Sequence, residues 1–175
     1  SVPFVYPENC PVCGSKLFRD ESEVAVRCVN SACPAQVEGR IEHFASRDAM
    51  DIEGFGPALV SQLVSKGLIK NISGIYSLKL DELASLERMG EKSASNVLEA
   101  IAKSKKRKLA NLIYALGIRH VGAGTARTLA MEFGSLDKLA EADFETLQSI
   151  DDVGPVVAES ITGFFANPVN MEIIN

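Results

Sequence analysis

The sequence feature that most constrains the fold is a glycine-centred unit that recurs four times after residue 50. Aligned on Gly56, Gly90, Gly124 and Gly154, the copies are spaced by 34, 34 and 30 residues. In each copy an apolar residue precedes the glycine, a small or β-branched residue follows four positions later, and an apolar residue follows seven positions later. Each unit is therefore predicted to form two helices joined by a hairpin, at which glycine permits a sharp turn.

The alignment also predicts the residues that the units bury. One helical hairpin cannot bury its own apolar face, so the four units should stack into one α-helical domain. The small position should let the two helices of a unit approach each other. The predicted contact residues are Phe55, Met89, Ala123 and Val153 before the glycine, Val60, Ala94, Thr128 and Ala158 at the small position, and Leu63, Val97, Met131 and Ile161 beyond it.

The third copy, "HVGAGTARTLA" (His120–Ala130), is also compared with nucleotide-binding loops. A dinucleotide-binding fingerprint needs a third glycine and a preceding strand. Here Arg127 stands at the third glycine position, and the preceding segment 109–116 has helical spacing. A Walker A loop needs Gly-Lys-Ser/Thr, and the nearest sequence, Gly90–Ser93, lacks the upstream glycine. A hairpin between helices is therefore favoured.

The four cysteines all lie in the first fifth of the chain, spaced C-x2-C, fourteen residues, then C-x4-C. Two close pairs at this separation favour one structural zinc ion, with Cys10, Cys13, Cys28 and Cys33 as its ligands. The alternating segment Glu23–Cys28 is predicted to be a strand that returns to the second pair. The alternative is two disulfides in an oxidising compartment. His43, in a helical pattern, is predicted to lie on a helix face rather than to bind the metal.

The formal net charge of −5 argues weakly against a nucleic-acid partner, but the charge is unevenly distributed. Residues 100–131 contain no acid and seven bases, whereas the segment from Glu132 to the end contains nine acids and one base. This asymmetry predicts a basic surface beside an acidic tail. A solvated linker is the alternative for the run "KSKKRK" (Lys103–Lys108). No apolar run could span a bilayer, and the N-terminus resembles neither a signal peptide nor a natural start, which indicates a fragment.

The glycine units resemble the helix-hairpin-helix (HhH) motif of DNA repair and replication proteins. In that family, hairpin N–H groups and the N-terminus of the second helix hold a DNA phosphate, as the helix dipole also favours. Such contacts read the backbone rather than the bases. The resemblance and the local charges together give the predicted DNA-binding residues: Gly54, Gly56, Arg88, Gly90, Lys92, Lys105, Lys106, Arg107, Arg119, His120, Gly122, Gly124, Thr125, Arg127 and Gly154.

The copies are not equivalent. The first and third carry two glycines each, taken as Gly54/Gly56 and Gly122/Gly124, whereas Arg88 and Asp152 replace the first glycine in the second and fourth. A carboxylate beside a hairpin repels phosphate, so the fourth unit is expected to hold DNA less well than the others, and a purely structural role is the alternative for it. The third unit, with the basic residues Arg119, His120 and Arg127 around its hairpin, is the best candidate for a phosphate contact.

The order of the parts resembles the C-terminal half of bacterial NAD-dependent DNA ligases. The resemblance runs from about Val2 to Asn167 through "CPAQ", "RIEHFASRDAMDIEGFG", "LERMGEKSASNV" and "LIYALGIRHVG". It implies a mainly α fold in which residues 1–9 end an OB-fold or linker, 10–36 form a small β-containing zinc finger with four cysteine ligands, and 37–175 form an HhH domain. The hairpins are expected near 54–56, 88–90, 122–124 and 152–154.

The same resemblance implies a cytoplasmic, nucleoid-associated protein that clamps nicked double-stranded DNA during replication and repair, without membrane contact. In the family, adenylate passes from NAD to a lysine of a K-x-D-G motif and then to the nick, with Mg²⁺. The only K-x-D here is in "KLDE" (Lys79–Glu82), predicted to be an exposed turn and helix N-cap. Because the adenylation domain, most of the OB-fold and the BRCT domain are missing, the segment alone is predicted to be non-catalytic. The alternative function is a protein-interaction or scaffolding module.

Overall fold

The computed structural model describes residues 2–3, 5–19, 21, 26–28, 30, 33–168 and 170–171. The cysteine-rich region contains an antiparallel two-stranded sheet, β1 (Leu17–Arg19) and β2 (Val26–Cys28), with Leu17 opposite Cys28. The strand predicted before Cys28 is confirmed over β2, and residues 23–25 of that prediction lie outside the described residues.

The rest of the described chain is helical. The helices are α1 (Pro34–Ala45), α2 (Pro57–Ser65), α3 (Leu80–Ala84), α4 (Glu91–Ser104), α5 (Leu109–Ala115), α6 (Ala123–Phe133), α7 (Leu136–Glu141), α8 (Phe144–Gln148) and α9 (Pro155–Ala166). A 3₁₀ helix, Ile72–Ser77, links the first two units, and α7 links the last two. The helices predicted around Asp81–Glu87, 109–116 and Asp143–Ser149 are all present.

A glycine directly precedes the second helix of every unit. Gly56, Gly90, Gly122 and Gly154 are the N-cap residues of α2, α4, α6 and α9, all with extended backbone. Each glycine carbonyl accepts a hydrogen bond of 2.9–3.0 Å from the N–H four residues later. That later residue is small or β-branched and fully buried in every unit. Proline at the first helical position of α2 and α9 fits the first turn, where no N–H is needed.

The predicted alignment of the third unit is wrong by two residues. Helix α6 begins at Ala123, so its N-cap is Gly122, and Gly124 lies within the first helical turn. The buried positions shift accordingly to Val121, Ala126 and Leu129, and Met131 is 87% exposed. The third hairpin is therefore His120–Val121–Gly122, not 122–124. The glycine at 124 imitates the two-glycine pattern of the first hairpin but does not form the turn.

The buried apolar residues form two cores rather than one. The first core, between units one and two, is centred on Ile41, Phe44, Leu63 and Val97. The second core, between units three and four, contains Ile113, Leu129, Leu139, Leu147 and Ile161. Pairs of units thus bury their apolar faces against each other, and Tyr114 packs against both cores.

Polar contacts join the two halves of the helical region. The Arg107 guanidinium donates to the Ala49 carbonyl (Nε 3.2 Å, Nη2 3.1 Å) and to the Arg47 carbonyl (Nη2 3.3 Å). The Asn111 side-chain amide donates to the Asp48 carbonyl at 3.1 Å. These contacts, between residues 47–49 and the residues Arg107 and Asn111, form the joint between the halves. The run Lys103–Lys108 contains Arg107 and is therefore part of this joint and not a free linker.

Candidate metal centre and nucleic-acid interface

The four cysteine sulfurs converge on one point. All four Sγ atoms lie within 4.8 Å of one another, with Cys10 and Cys33 at 3.9 Å and Cys13 and Cys28 at 3.6 Å. A tetrahedron of thiolates around zinc has sulfur–sulfur edges of about 3.8 Å, given zinc–sulfur bonds of about 2.3 Å. The donor set and its spacing therefore fit a closed structural zinc site with no position for a substrate.

Local backbone geometry builds the site. Gly14, at φ +76°, closes the first knuckle, in which the Gly14 N–H donates to the Cys10 carbonyl at 2.8 Å. At the second pair, the Cys33 N–H donates to the Asn30 carbonyl at 3.0 Å. The Gln36 side-chain amide on α1 donates to the Cys28 carbonyl at 2.9 Å and connects the cluster to the helices.

The crowded thiols do not titrate alike. Hydrogen bonds from the Ser15 side chain and backbone lower the pKa of Cys13 to about 6. For Cys28, a hydrogen bond with the Asn30 backbone lowers the pKa, but burial and the neighbouring thiols outweigh it and raise the pKa to about 12. Four adjacent thiols cannot all become anions without a cation, so the cluster favours a divalent metal.

His43 does not take part in the metal cluster. It lies on α1, and its Nε2 is 2.8 Å from the Tyr114 carbonyl oxygen on α5. The two rings also meet edge to face, with centroids 4.8 Å apart. Because the carbonyl accepts, Nε2 must carry the proton. The predicted helix-face position of His43 is confirmed, and the residue helps to join the halves.

The four hairpins share one backbone geometry despite their different residues. The residue two before each N-cap glycine has positive φ: 83° at Gly54, 61° at Arg88, 68° at His120 and 73° at Asp152. The residue between, apolar in every copy, donates its N–H to the carbonyl three positions upstream at 3.1–3.3 Å. At Gly54, a Cβ would also lie 3.2 Å from Cγ2 of the buried Val97.

The second helix of each unit begins without a side-chain cap. Two other helices differ, since Ser135 caps the connecting helix α7 and Asp143 caps α8, the first helix of the fourth unit. The first N–H groups of an α-helix have no intrahelical partner and can bind an anion. Pro57 and Pro155 remove one of these donors from the first and fourth units, whereas Ala123, Gly124 and Thr125 supply three in the third.

The four hairpins differ in the charge of the residues at their tips. The two positions between the apolar residues are Glu53 and Gly54 in the first unit and Glu87 and Arg88 in the second. They are Arg119 and His120 in the third unit, and Asp151 and Asp152 in the fourth. The fourth carboxylate, Asp152, also accepts a hydrogen bond from the Thr128 hydroxyl of α6 at 3.3 Å. Only the third hairpin is basic, so it offers an anion the most favourable surroundings.

The predicted DNA-binding residues separate into three groups: the residues of the hairpins and helix starts, the pair Lys105 and Lys106, and Arg107. The residues of the first group are exposed, except for the half-buried Thr125. Lys105 lies at the joint, with its Nζ 5.7 Å from the centre of the Tyr76 ring, and Lys106 is exposed beside it. Arg107 is committed to the carbonyls of 47 and 49 and holds the joint together.

Sequence reasoning missed a basic cleft that reaches the third hairpin. The cleft, of about 340 Å³, lies between the two halves. Its charged lining comprises Arg47, Arg107, Lys108 and Arg127, with Asp48 as the one acid. No local pattern could have identified Arg47, because the joint brings it to residues about sixty positions away.

Three family models match consecutive parts of the chain. The model described as the NAD-dependent DNA ligase C4 zinc finger domain matches residues 9–35. A SAM-like helix-hairpin-helix tandem matches residues 46–103, and a helix-hairpin-helix motif matches residues 111–174. The two helical matches coincide with the two halves that bury separate cores.

Curated relatives match nearly the whole chain. It is 53% identical over 173 residues to a DNA ligase of Halothermothrix orenii, and 55% identical over 169 residues to one of Trichlorobacter lovleyi. A DNA ligase of Chlorobaculum parvum is 55% identical over 163 residues. These alignments cover 98%, 96% and 93% of the chain but only 26%, 25% and 24% of the ligases, so the chain spans about a quarter of their length.

A four-cysteine cluster followed by two pairs of hairpins defines a zinc-finger protein with a tandem helix-hairpin-helix domain. The three family models match these parts in the same order along the chain. The chain corresponds to the zinc-finger and helix-hairpin-helix region of the NAD-dependent DNA ligases. Among the helices of the described residues, none is long and apolar enough to cross a membrane.

Proposed function

We propose that this region clamps nicked duplex DNA by its backbone, with the third hairpin as the main phosphate contact. The observation that carries the proposal is the open first turn of α6, flanked by Arg119 and Arg127 and without a carboxylate in its own hairpin. Backbone N–H groups bind phosphate without reading the bases. A nick can occur at any sequence, so this mode of binding suits nick recognition.

We also propose that Cys10, Cys13, Cys28 and Cys33 hold one structural zinc ion. When bound, the ion supplies charge neutralisation and cross-links for a module with little apolar core. Cys10 and Cys33 are buried and their sulfurs are 3.9 Å apart, which supports a closed site. The metal should stabilise the finger and take no part in phosphate chemistry.

For the whole protein we propose nick sealing with NAD and Mg²⁺, by domains other than these. Lys79, in the only K-x-D of the chain, is the exposed N-cap of α3, and its N–H donates to the Glu82 carboxylate at 3.0 Å. It thus occupies a turn between two units, as predicted, and not a nucleotide pocket. A sealing assay on this chain with NAD, Mg²⁺ and a nicked duplex should give no ligated product.

Fluorescence anisotropy with nicked and intact duplex across a salt series tests the clamp. The logarithm of the association constant should fall linearly with the logarithm of salt concentration, with a slope of about −0.9 per phosphate contact. Arg119→Gln should weaken binding and reduce the magnitude of the slope by about 1. Lys138→Gln, an equal charge change on the exposed face of α7, should leave both unchanged.

Undetectable or salt-insensitive binding would reject the clamp and favour the second candidate, a protein-interaction module. One observation favours that candidate for the fourth unit alone. Asp151 and Asp152 repel phosphate, Pro155 lacks an N–H, and Val156 is 59% exposed at the start of α9. The fourth hairpin is therefore proposed to pack against protein rather than DNA.

A further inference from the structure

We propose that the basic cleft between the two halves binds one backbone phosphate of the duplex, so that Arg47 of the first half completes the site of the third hairpin. The inference rests on the proposed DNA clamp and adds residues outside the hairpin itself. Its new members are Arg47 and Lys108, which join Arg127 around one space of about 340 Å³.

The cleft meets the third hairpin directly. Its wall includes Ala123, the first residue of α6, and Arg127, one turn further along the same face. A Cβ built on Gly124 would lie 3.9 Å from Nη2 of Arg127, so this guanidinium lies beside the first turn of α6. An anion held by the open N–H groups would therefore lie within reach of the cleft's cations.

The cations of the cleft have different tasks. The Arg107 guanidinium donates hydrogen bonds to the carbonyls of Arg47 and Ala49 and so fixes the wall of the cleft. Among the described residues, the side chains of Arg47, Lys108 and Arg127 have no hydrogen-bond or salt-bridge partner. Asp48 is the one carboxylate of the lining, so the cleft as a whole remains strongly cationic.

The chemistry of such a cleft selects a phosphate diester. Guanidinium groups donate in a planar fork that matches two phosphate oxygens, and lysine adds a point charge. The half-buried Tyr114 and Asn111 also line the cleft, which opens to the protein surface. One phosphate of a continuous backbone can enter while its neighbours remain in solvent.

The test uses the zinc-loaded 175-residue chain, nicked duplex and the double variant Arg47→Gln/Arg127→Gln. At about 0.1 M salt the variant should bind about tenfold more weakly, as expected for lost charge-assisted hydrogen bonds. Because both side chains meet one phosphate, the salt slope should shrink by about 1 rather than about 2. Thermal unfolding should be unchanged, since neither side chain has a partner among the described residues of the free protein.

A methylphosphonate scan identifies the phosphate. Duplexes that carry one neutral linkage at successive positions should show one position at which wild type loses affinity and the double variant does not. The control variant Lys66→Gln/Lys138→Gln removes two exposed bases outside the cleft and should lose affinity at that position as wild type does.

The outcomes separate this inference from the clamp. Equal binding by wild type and the Arg47→Gln/Arg127→Gln variant, with unchanged slopes, would overturn the cleft site and leave the clamp standing. Additive effects of the neutral linkage and the double variant at every position would also overturn it. An absence of salt-dependent binding by wild type would reject both.

Discussion

Arg107 and Ala49 are joined by two hydrogen bonds, because Nε and Nη2 of the guanidinium donate to the same carbonyl oxygen at 3.2 and 3.1 Å. Ala49 belongs to the first core, and Arg107 lies in the segment between α4 and α5 that connects the two halves. Apolar packing also crosses this joint, because Ala115 of α5 is buried in the first core and Tyr114 packs against both cores, and these polar contacts, with the His43–Tyr114 hydrogen bond, add to it.

The first prediction is that Arg107→Gln destabilises the fold by about 1–2 kcal/mol, because three hydrogen bonds from a charged donor to two carbonyl oxygens are lost. Urea unfolding followed by circular dichroism measures this change. Lys106→Gln removes the same charge from the neighbouring exposed residue and should change stability by less than about 0.5 kcal/mol. If both variants unfold alike, Arg107 does not hold the joint.

The second prediction compares two glycines of the first hairpin. Gly54→Ala should cost at least about 1–2 kcal/mol of unfolding free energy, because φ is +83° and the new Cβ would meet Val97 Cγ2 at 3.2 Å. Gly56→Ala should cost less, at most about 1 kcal/mol for the poorer N-cap that alanine makes, since Gly56 has φ −87° and nothing lies within 4 Å of its added Cβ. Equal losses would mean that the left-handed turn is not what Gly54 provides.

The third prediction removes one N–H group from the third hairpin. Ala123→Pro should leave stability unchanged, because proline fits the first helical position and Gly122 before it is extended. If that N–H meets phosphate, affinity for nicked duplex should fall about five- to tenfold. Ala123→Ser keeps the N–H and serves as the control. Wild-type affinity in the proline variant would exclude this amide from the contact.

The fourth prediction concerns the metal. Chelation should disrupt the β1–β2 region and leave the helical cores, which contain none of the cysteines, intact. Amide NMR spectra with and without chelator measure this, and re-addition of zinc should restore the finger. Loss of the helical signals together with those of the finger would show that the cores depend on the metal.

Zinc affinity should rise with pH, which is the fifth prediction. Cys28, with a pKa near 12, keeps its proton at neutral pH and must release it on binding, so raising the pH favours the metal. Cys13, with a pKa near 6, adds a further released proton only below about pH 6. Competition titrations should therefore show a steeper pH dependence below that value. An affinity independent of pH would contradict thiolate ligation.

The sequence predicted the number and type of units well because their signals are local. Proline and glycine at helix starts, and apolar residues at helical spacing, identify each hairpin without tertiary information. The predicted position of the third hairpin was wrong because Gly122 and Gly124 have the same spacing as Gly54 and Gly56. The correct position is indicated by two apolar residues three positions apart, Ile118 and Val121, which are joined by the hydrogen bond of the turn.

The joint and the cleft could not be predicted in the same way. They depend on contacts between residues about sixty positions apart, such as Asn111 with Asp48. Arg107 was predicted from its charge to contact DNA, and the structure shows that its donors serve neighbouring carbonyls. A run of bases gives the sign of a surface but not which side chains are already engaged, so its DNA role stays a prediction.

In the turn shared by Gly54, Arg88, His120 and Asp152, the backbone conformation does not depend on the chemistry of the side chain. Four unlike residues adopt φ between 61° and 83° there, so the backbone path is set by the flanking apolar pair and glycine rather than by the side chain. That position is exposed in every copy. In the second, third and fourth hairpins this position is therefore exchangeable: a substitution that tolerates the left-handed backbone can change what the hairpin attracts or repels without rebuilding the domain, whereas Val97 restricts the first hairpin to glycine.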